Sequence, residues 1–135
     1  MKFSTARQAP KEQPDLRPLR FRLLQKVQLW RAPLLGAAIL ALLAGIWAGW
    51  IRIGWQWPVL QPSLVGAHGP LMVSGFFGTL ISVERAVALR RPWPYIGPVL
   101  SGLGGVLLAF GLPGAAPALL MTAGSAWLVL IFGAI

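Results

Sequence analysis

The chain has no cysteine, one histidine and three acidic residues among its 135 residues. Without cysteine it forms no disulfide, no thiolate metal site and no cysteine nucleophile. It also has no phosphate-binding P-loop, no dinucleotide-binding glycine pattern after a strand, no HExxH or GxSxG motif and no acidic pair. These absences leave the ordinary classes of soluble enzyme without support.

Apolar residues are abundant instead. Hydrophobic residues make up 56% of the chain, charged residues 11%, and seven residues are tryptophan. This composition is typical of an integral membrane protein. The net charge of +9 does not indicate nucleic-acid binding, because eight of the 12 basic residues lie at or before Arg31 and three more are Arg85, Arg90 and Arg91. Basic clusters beside apolar segments orient membrane proteins and contact lipid headgroups.

Four apolar segments predict an all-α integral membrane bundle, with transmembrane helices at about 33–51, 64–89, 95–112 and 118–135. At 1.5 Å per residue, ~20 residues cover the roughly 30 Å hydrocarbon core of a bilayer. The first partner that these segments imply is the lipid bilayer.

The distribution of basic residues predicts the orientation of the bundle. With the N-terminus in the cytoplasm, eight basic residues of the tail and three of the second loop lie inside, and only Arg52 lies outside. Because cytoplasmic flanks carry the excess of Lys and Arg, we expect both termini to be cytoplasmic. The predicted location is the inner (plasma) membrane, with several crossings.

The chain divides into a basic cytoplasmic tail, residues 1–31, and a transmembrane domain, residues 32–135. Within the tail, leucine, valine and tryptophan recur every three or four residues over 16–31, which predicts an interfacial helix on anionic headgroups. The alternative is a solvated tail that only sets the topology.

Small residues recur every four positions in the first three predicted spans. Such stripes let helix backbones approach closely in lipid, so they predict tight packing within the bundle or contact with a further copy or further helices. The stripes are Ala37, Ala41, Gly45 and Gly49 in the first span, Ser74, Gly78, Ser82 and Ala86 in the second, and Gly97, Ser101, Gly105 and Ala109 in the third.

His68, the only histidine, begins the second span two residues before Pro70, as a first-turn residue would. Met72 follows four residues later on the same helical face. An imidazole and a thioether so placed are ligands for copper(I), and an imidazole alone is an axial ligand for haem. The alternative is a histidine bonded only to headgroups or to a carbonyl oxygen. One histidine without cysteine does not close a metal site within one chain.

Glu84 and Arg85 lie at the other end of the same span, roughly 24 Å from His68 at 1.5 Å per residue. Neighbouring residues on a helix do not face each other, so Glu84 is expected to pair with a basic group elsewhere. An interfacial ion pair and a proton-relay carboxylate are the two interpretations.

The runs HGPLMVSGFFGT at residues 68–79 and ERAVAL at residues 84–89 resemble the corresponding helix of NnrS-like membrane proteins. That family comprises polytopic bacterial inner-membrane proteins that contain haem and copper and are linked to nitric oxide and denitrification. The resemblance implies a haem or metal role for His68. The family has more helices and several histidines, so this chain is expected to be a truncated member or a fragment of a longer one.

Two functions therefore remain. The first is a haem- or copper-binding membrane protein of nitrogen-oxide or respiratory metabolism. The second is a non-enzymatic membrane module without a cofactor, either an oligomerising structural subunit or part of a transporter. The sequence does not decide whether the protein is an enzyme.

Overall fold

The structure is a computed structural model that describes residues 31–112 and 115–134, and within these ranges the chain is helical and contains no strand. The predicted all-α class is thus confirmed for the described residues. The tail up to residue 30 lies outside them, and so does almost all of the predicted interfacial helix 16–31. The helices are α1 (Ala32–Arg52), α2 (Pro62–Gly66), α3 (His68–Leu89), α4 (Trp93–Ala109) and α5 (Ala116–Gly133).

Three of these helices are long and apolar enough to cross a membrane: α1 with 21 residues, α3 with 22 and α5 with 18. Helix α4 is apolar but shorter. The count of four crossings and the position of both termini therefore stay predictions. The side chains on the outside of the bundle fit a lipid environment, since large apolar residues such as Leu43, Val73 and Val129 are 60%, 67% and 69% exposed.

Two predicted boundaries differ from the structure by three or four residues. The second span was expected from residue 64, but residues 62–66 form the separate helix α2, and α3 begins only at His68. The third span was expected to reach residue 112, but α4 ends at Ala109. Gly111 follows with a φ of +71°, a left-handed conformation that ends helices and that glycine adopts at little cost.

The four long helices meet at a crossing of glycines. A Cβ atom at Gly75 of α3 would lie 3.0 Å from Cβ of Ala41 in α1, 3.4 Å from Cα of Gly105 in α4 and 3.4 Å from Cε of Met121 in α5. A side chain at this position would force these neighbours to shift by a few tenths of an ångström, which favours glycine. Ala41 has no exposed surface, so this crossing is the centre of the bundle.

The small-residue stripe of α1 packs as predicted. Ala37 lies beside Gly102, and Ala41 beside Gly75 and Gly105. Farther along the stripe, Gly45 and Gly49 lie beside side chains of α3. Close helix contact through small residues is therefore confirmed for α1.

Helix α3 is not a uniform α-helix. Residues Leu71–Gly78 form a π-helix, between α-helical turns at His68–Pro70 and Thr79–Leu89. π-Helical segments are rare and occur often at functional sites. This segment lies between His68 at one end of α3 and Glu84 and Arg85 near the other.

Candidate functional site

The candidate site lies where the first turns of α3 rest on α1. His68 is the first residue of α3, and Pro70 in the same turn suits a helix start, because proline has no N–H to pair and a fixed φ. The face of α1 opposite consists of Gly45 and Gly49, one turn apart. Because these two glycines have no side chain, the His68 ring and the Met72 thioether lie directly against the α1 backbone.

The imidazole of His68 is fixed by one short hydrogen bond. Its Nδ1 lies 2.7 Å from the backbone oxygen of Gly45. A Cβ atom at Gly49 would lie 2.9 Å from both Nδ1 and Cε1 of the ring, but 3.7 Å from Nε2. The ring therefore rests on Gly49 through its Nδ1–Cε1 edge, with Nε2 farther from α1.

This hydrogen bond decides the tautomer. A carbonyl oxygen only accepts, so Nδ1 must carry the proton and donate it. In the neutral ring Nε2 is then the nitrogen with a free lone pair. It is therefore the atom available to bind a metal or haem iron. Histidine ligands usually donate their other ring N–H to a carbonyl or carboxylate in this way.

Met72 lies one turn farther along α3. A Cβ atom at Gly45 would lie 2.8 Å from Sδ and 3.1 Å from Cγ of Met72, so the thioether rests on the same glycine whose oxygen binds His68. The structure thus brings the two predicted ligand residues to adjacent turns of one helix face. Whether either binds a metal stays a prediction.

Aromatic side chains surround this end of the bundle. The ring centroids of Trp47 and Trp57 lie 4.4 Å apart, and those of Trp50 and Trp57 lie 4.8 Å apart in an edge-to-face arrangement. An apolar cavity of about 260 Å³ lies beside Trp47 and is lined by Leu40, Leu43, Ala44, Trp47, Leu60, Leu64, Ala109 and Phe110. His68 does not line this cavity, so the cavity itself is not a pocket at the imidazole.

The described part of the chain offers few side chains that bind metal ions. Among residues 31–112 and 115–134, no group of three His, Cys, Asp or Glu side chains lies close enough to hold a metal ion. An axial haem ligand needs only one imidazole from this chain. A copper(I) ion would take His68 and Met72 together with a ligand from another chain.

Glu84 and Arg85 lie at the opposite end of α3 and point to different neighbours. The guanidinium carbon of Arg85 lies 4.2 Å from the centre of the Phe132 ring in α5, a cation–π contact. Glu84 is exposed and lines the same groove as Arg31, the residue before α1. The structure therefore brings Glu84 and Arg85 neither to His68 nor to one common partner.

Sequence reasoning missed a group of buried hydroxyls. Thr79, Ser82 and Ser101 are 0% exposed, and their side-chain oxygens have no hydrogen-bond partner within the described part of the chain. The signal was present in part, since Ser82 and Ser101 belong to the predicted small-residue stripes. The side chain of Thr79 lies beside Gly102 of α4.

A family model described as a domain of unknown function, DUF8744, matches residues 31–135. No curated protein matches the chain, and no solved structure does. Because the match spans more than half of the chain, the protein belongs to the DUF8744 family.

Proposed function

We propose that this member of the DUF8744 family is a multi-pass protein of the inner (plasma) membrane whose His68 binds a haem or a copper ion through Nε2. Four helices cross the bilayer in this proposal, with the N-terminus in the cytoplasm. The lengths of α1, α3 and α5 and the exposed apolar side chains support the membrane location. The predominance of basic residues in the tail and in the loop after α3 supports the orientation.

One observation carries the ligand role: the 2.7 Å hydrogen bond from Nδ1 of His68 to the oxygen of Gly45. It fixes the ring and leaves Nε2 as the basic nitrogen, the arrangement expected of a ligand. The likeness of residues 68–79 and 84–89 to NnrS-like proteins adds support from the sequence. When bound, the group supplies redox or gas-binding chemistry, and this chain contributes the oriented imidazole.

The second candidate is a membrane module without a cofactor, in which His68 only joins α3 to α1. The same hydrogen bond favours it, because a partly buried donor paired with a helix carbonyl is a complete structural role. The 260 Å³ apolar cavity is not lined by His68, so it supplies no pocket for a group bound to the imidazole. The first candidate requires Nε2 to bind a haem or a copper ion, and the second requires no bond from Nε2.

Two substitutions separate these candidates. His68→Ala removes both the hydrogen bond to Gly45 and the Nε2 atom proposed to bind the cofactor. His68→Asn keeps an N–H donor near the position of Nδ1 but has no ring nitrogen to bind a metal. The full-length protein and both variants are expressed with haem and copper supplied and purified in detergent. Absorption spectra, metal content and thermal unfolding are then measured.

A ligand role predicts a Soret band or stoichiometric copper in the wild type that both variants lose, while His68→Asn unfolds close to the temperature of the cofactor-free wild type. Met72→Leu then distinguishes the two cofactors, since it weakens copper binding and leaves an imidazole-bound haem in place. A colourless, metal-free wild type, with His68→Ala destabilised by about 1 kcal/mol and His68→Asn stable, would instead establish the structural role.

A further inference from the structure

A groove of about 330 Å³ runs between α1 and α3 at the end of the bundle opposite His68. Its lining combines apolar walls with one basic and one acidic side chain at the rim. The lining residues are Arg31, Leu35, Leu80, Val83, Glu84 and Val87. An apolar channel with both charges at one end matches a lipid that carries both charges in its headgroup.

Arg31 is held in place at this rim. Its Nε donates a hydrogen bond of 3.1 Å to the hydroxyl oxygen of Tyr95, which precedes the α-helical part of α4. Arginine has five N–H donors, so this bond positions the guanidinium and leaves the terminal amino groups to bind an anion. A planar fork of donors is the usual protein partner of a phosphate.

Glu84 supplies the opposite charge. It is the only carboxylate outside the tail, and its side chain is exposed at the groove. The neighbouring Arg85 faces the Phe132 ring of α5, so its charge is directed to a different partner. Among residues 31–112 and 115–134, the groove therefore has one cation and one anion of its own.

We propose that this groove binds a phospholipid with a primary-amine headgroup, a phosphatidylethanolamine. Arg31 binds the phosphate, Glu84 accepts hydrogen bonds from the ammonium, and the acyl chain lies along Leu35, Leu80 and Val83. The inference rests on the membrane location proposed above and is independent of any cofactor at His68.

The carboxylate is what selects the headgroup. A phosphatidylglycerol carries the same phosphate, but its headgroup hydroxyls are neutral and give Glu84 no cation to pair with. A phosphatidylcholine ammonium has no N–H to donate, whereas the ethanolamine ammonium has three donors, like the lysine side chain. One exposed, hydrogen-bonded ion pair corresponds to a preference of about fivefold.

The test uses the full chain in nanodiscs that contain equal parts of phosphatidylethanolamine, phosphatidylcholine and phosphatidylglycerol, with release into native mass spectrometry to identify retained lipids. The variants are Arg31→Gln, Glu84→Gln and, as a matched control, Arg52→Gln at the far end of α1. Far-ultraviolet circular dichroism checks that each variant is folded.

The wild type and Arg52→Gln should retain phosphatidylethanolamine about fivefold over phosphatidylcholine. Glu84→Gln should lose this preference, and Arg31→Gln should lose most of the retained phosphatidylethanolamine. A wild type without a preference for phosphatidylethanolamine over phosphatidylcholine, or an unchanged preference in Glu84→Gln, would overturn the site while leaving the membrane location intact. A chain that does not enter nanodiscs would overturn both proposals.

Discussion

His68 and Glu84 stand near the two ends of one helix, but their side chains have opposite surroundings. The His68 ring lies against the backbone of α1, with Nδ1 bonded to Gly45. Glu84 lies exposed at the rim of a groove. The same helix pair thus holds one titratable group between its members and leaves the other at its surface.

The residues of α1 explain this difference. Opposite His68 the helix presents Gly49, where a Cβ atom would come within 2.9 Å of the ring. Opposite Glu84 lie Arg31, just before α1, and Leu35 in its first turn, and both line the open groove between the helices. In an apolar bundle a polar ring enters a helix contact only where glycine makes room for it and a backbone oxygen pairs with it.

The largest effect is predicted for a substitution at the glycine crossing, on which the packing of both ends of the bundle depends. Gly75→Val would push against Ala41 and Gly105, whose atoms lie 3.0 Å and 3.4 Å from the new Cβ. We expect a loss of about 3 kcal/mol, measured by thermal unfolding in detergent. Gly36→Val is the matched control, since no atom lies within 4 Å of a Cβ there. Equal unfolding temperatures for the two variants would contradict the observed crossing.

A smaller effect is expected from a change that affects the His68 end alone. Gly49→Val places its side chain on the imidazole and breaks the bond to Gly45, at a cost of about 1 to 2 kcal/mol. The same variant should weaken any haem or copper binding while lipid retention in the Arg31–Glu84 groove stays unchanged. Loss of lipid preference in Gly49→Val would show that the two ends are not independent.

The smallest effect is predicted for the contact between Arg85 and the Phe132 ring, at the end of the bundle opposite His68. Phe132→Leu keeps an apolar side chain but removes the ring under Arg85, so we expect a loss of about 0.5 kcal/mol. Phe110→Leu is the control, because Phe110 is 66% exposed and belongs to the opposite end of the bundle. A larger loss in Phe110→Leu than in Phe132→Leu, by chemical or thermal unfolding, would count against the cation–π contact.

Much of the fold could be predicted because its signals are local. Apolar segments and their flanking charges or prolines gave the four long helices to within about four residues, a margin typical of helix ends. The four-residue spacing of Ala37, Ala41, Gly45 and Gly49 identified the packed face of α1, because side chains four apart lie on one side of a helix.

The candidate site was predictable only in part. His68 and Met72 stood out as rare, chemistry-bearing residues on one helical face. Their partner Gly45 was identified as a packing residue, and nothing local indicates that its oxygen accepts a hydrogen bond from a residue 23 positions away. The π-helix at Leu71–Gly78 was missed for a similar reason, since no residue type encodes it and the packing of neighbouring helices decides it.

The sequence by itself determined that this chain is helical and apolar, where its helices lie along the chain, and which faces carry small residues. These properties follow from hydrophobicity and from residues close together in the chain. Only the tertiary structure decided that His68 turns toward α1 with Nε2 as its basic nitrogen, and that Arg31 and Glu84 share one groove. Both results depend on atoms brought together by helix packing, and a periodic pattern in one helix carries no information about the side chains of the next.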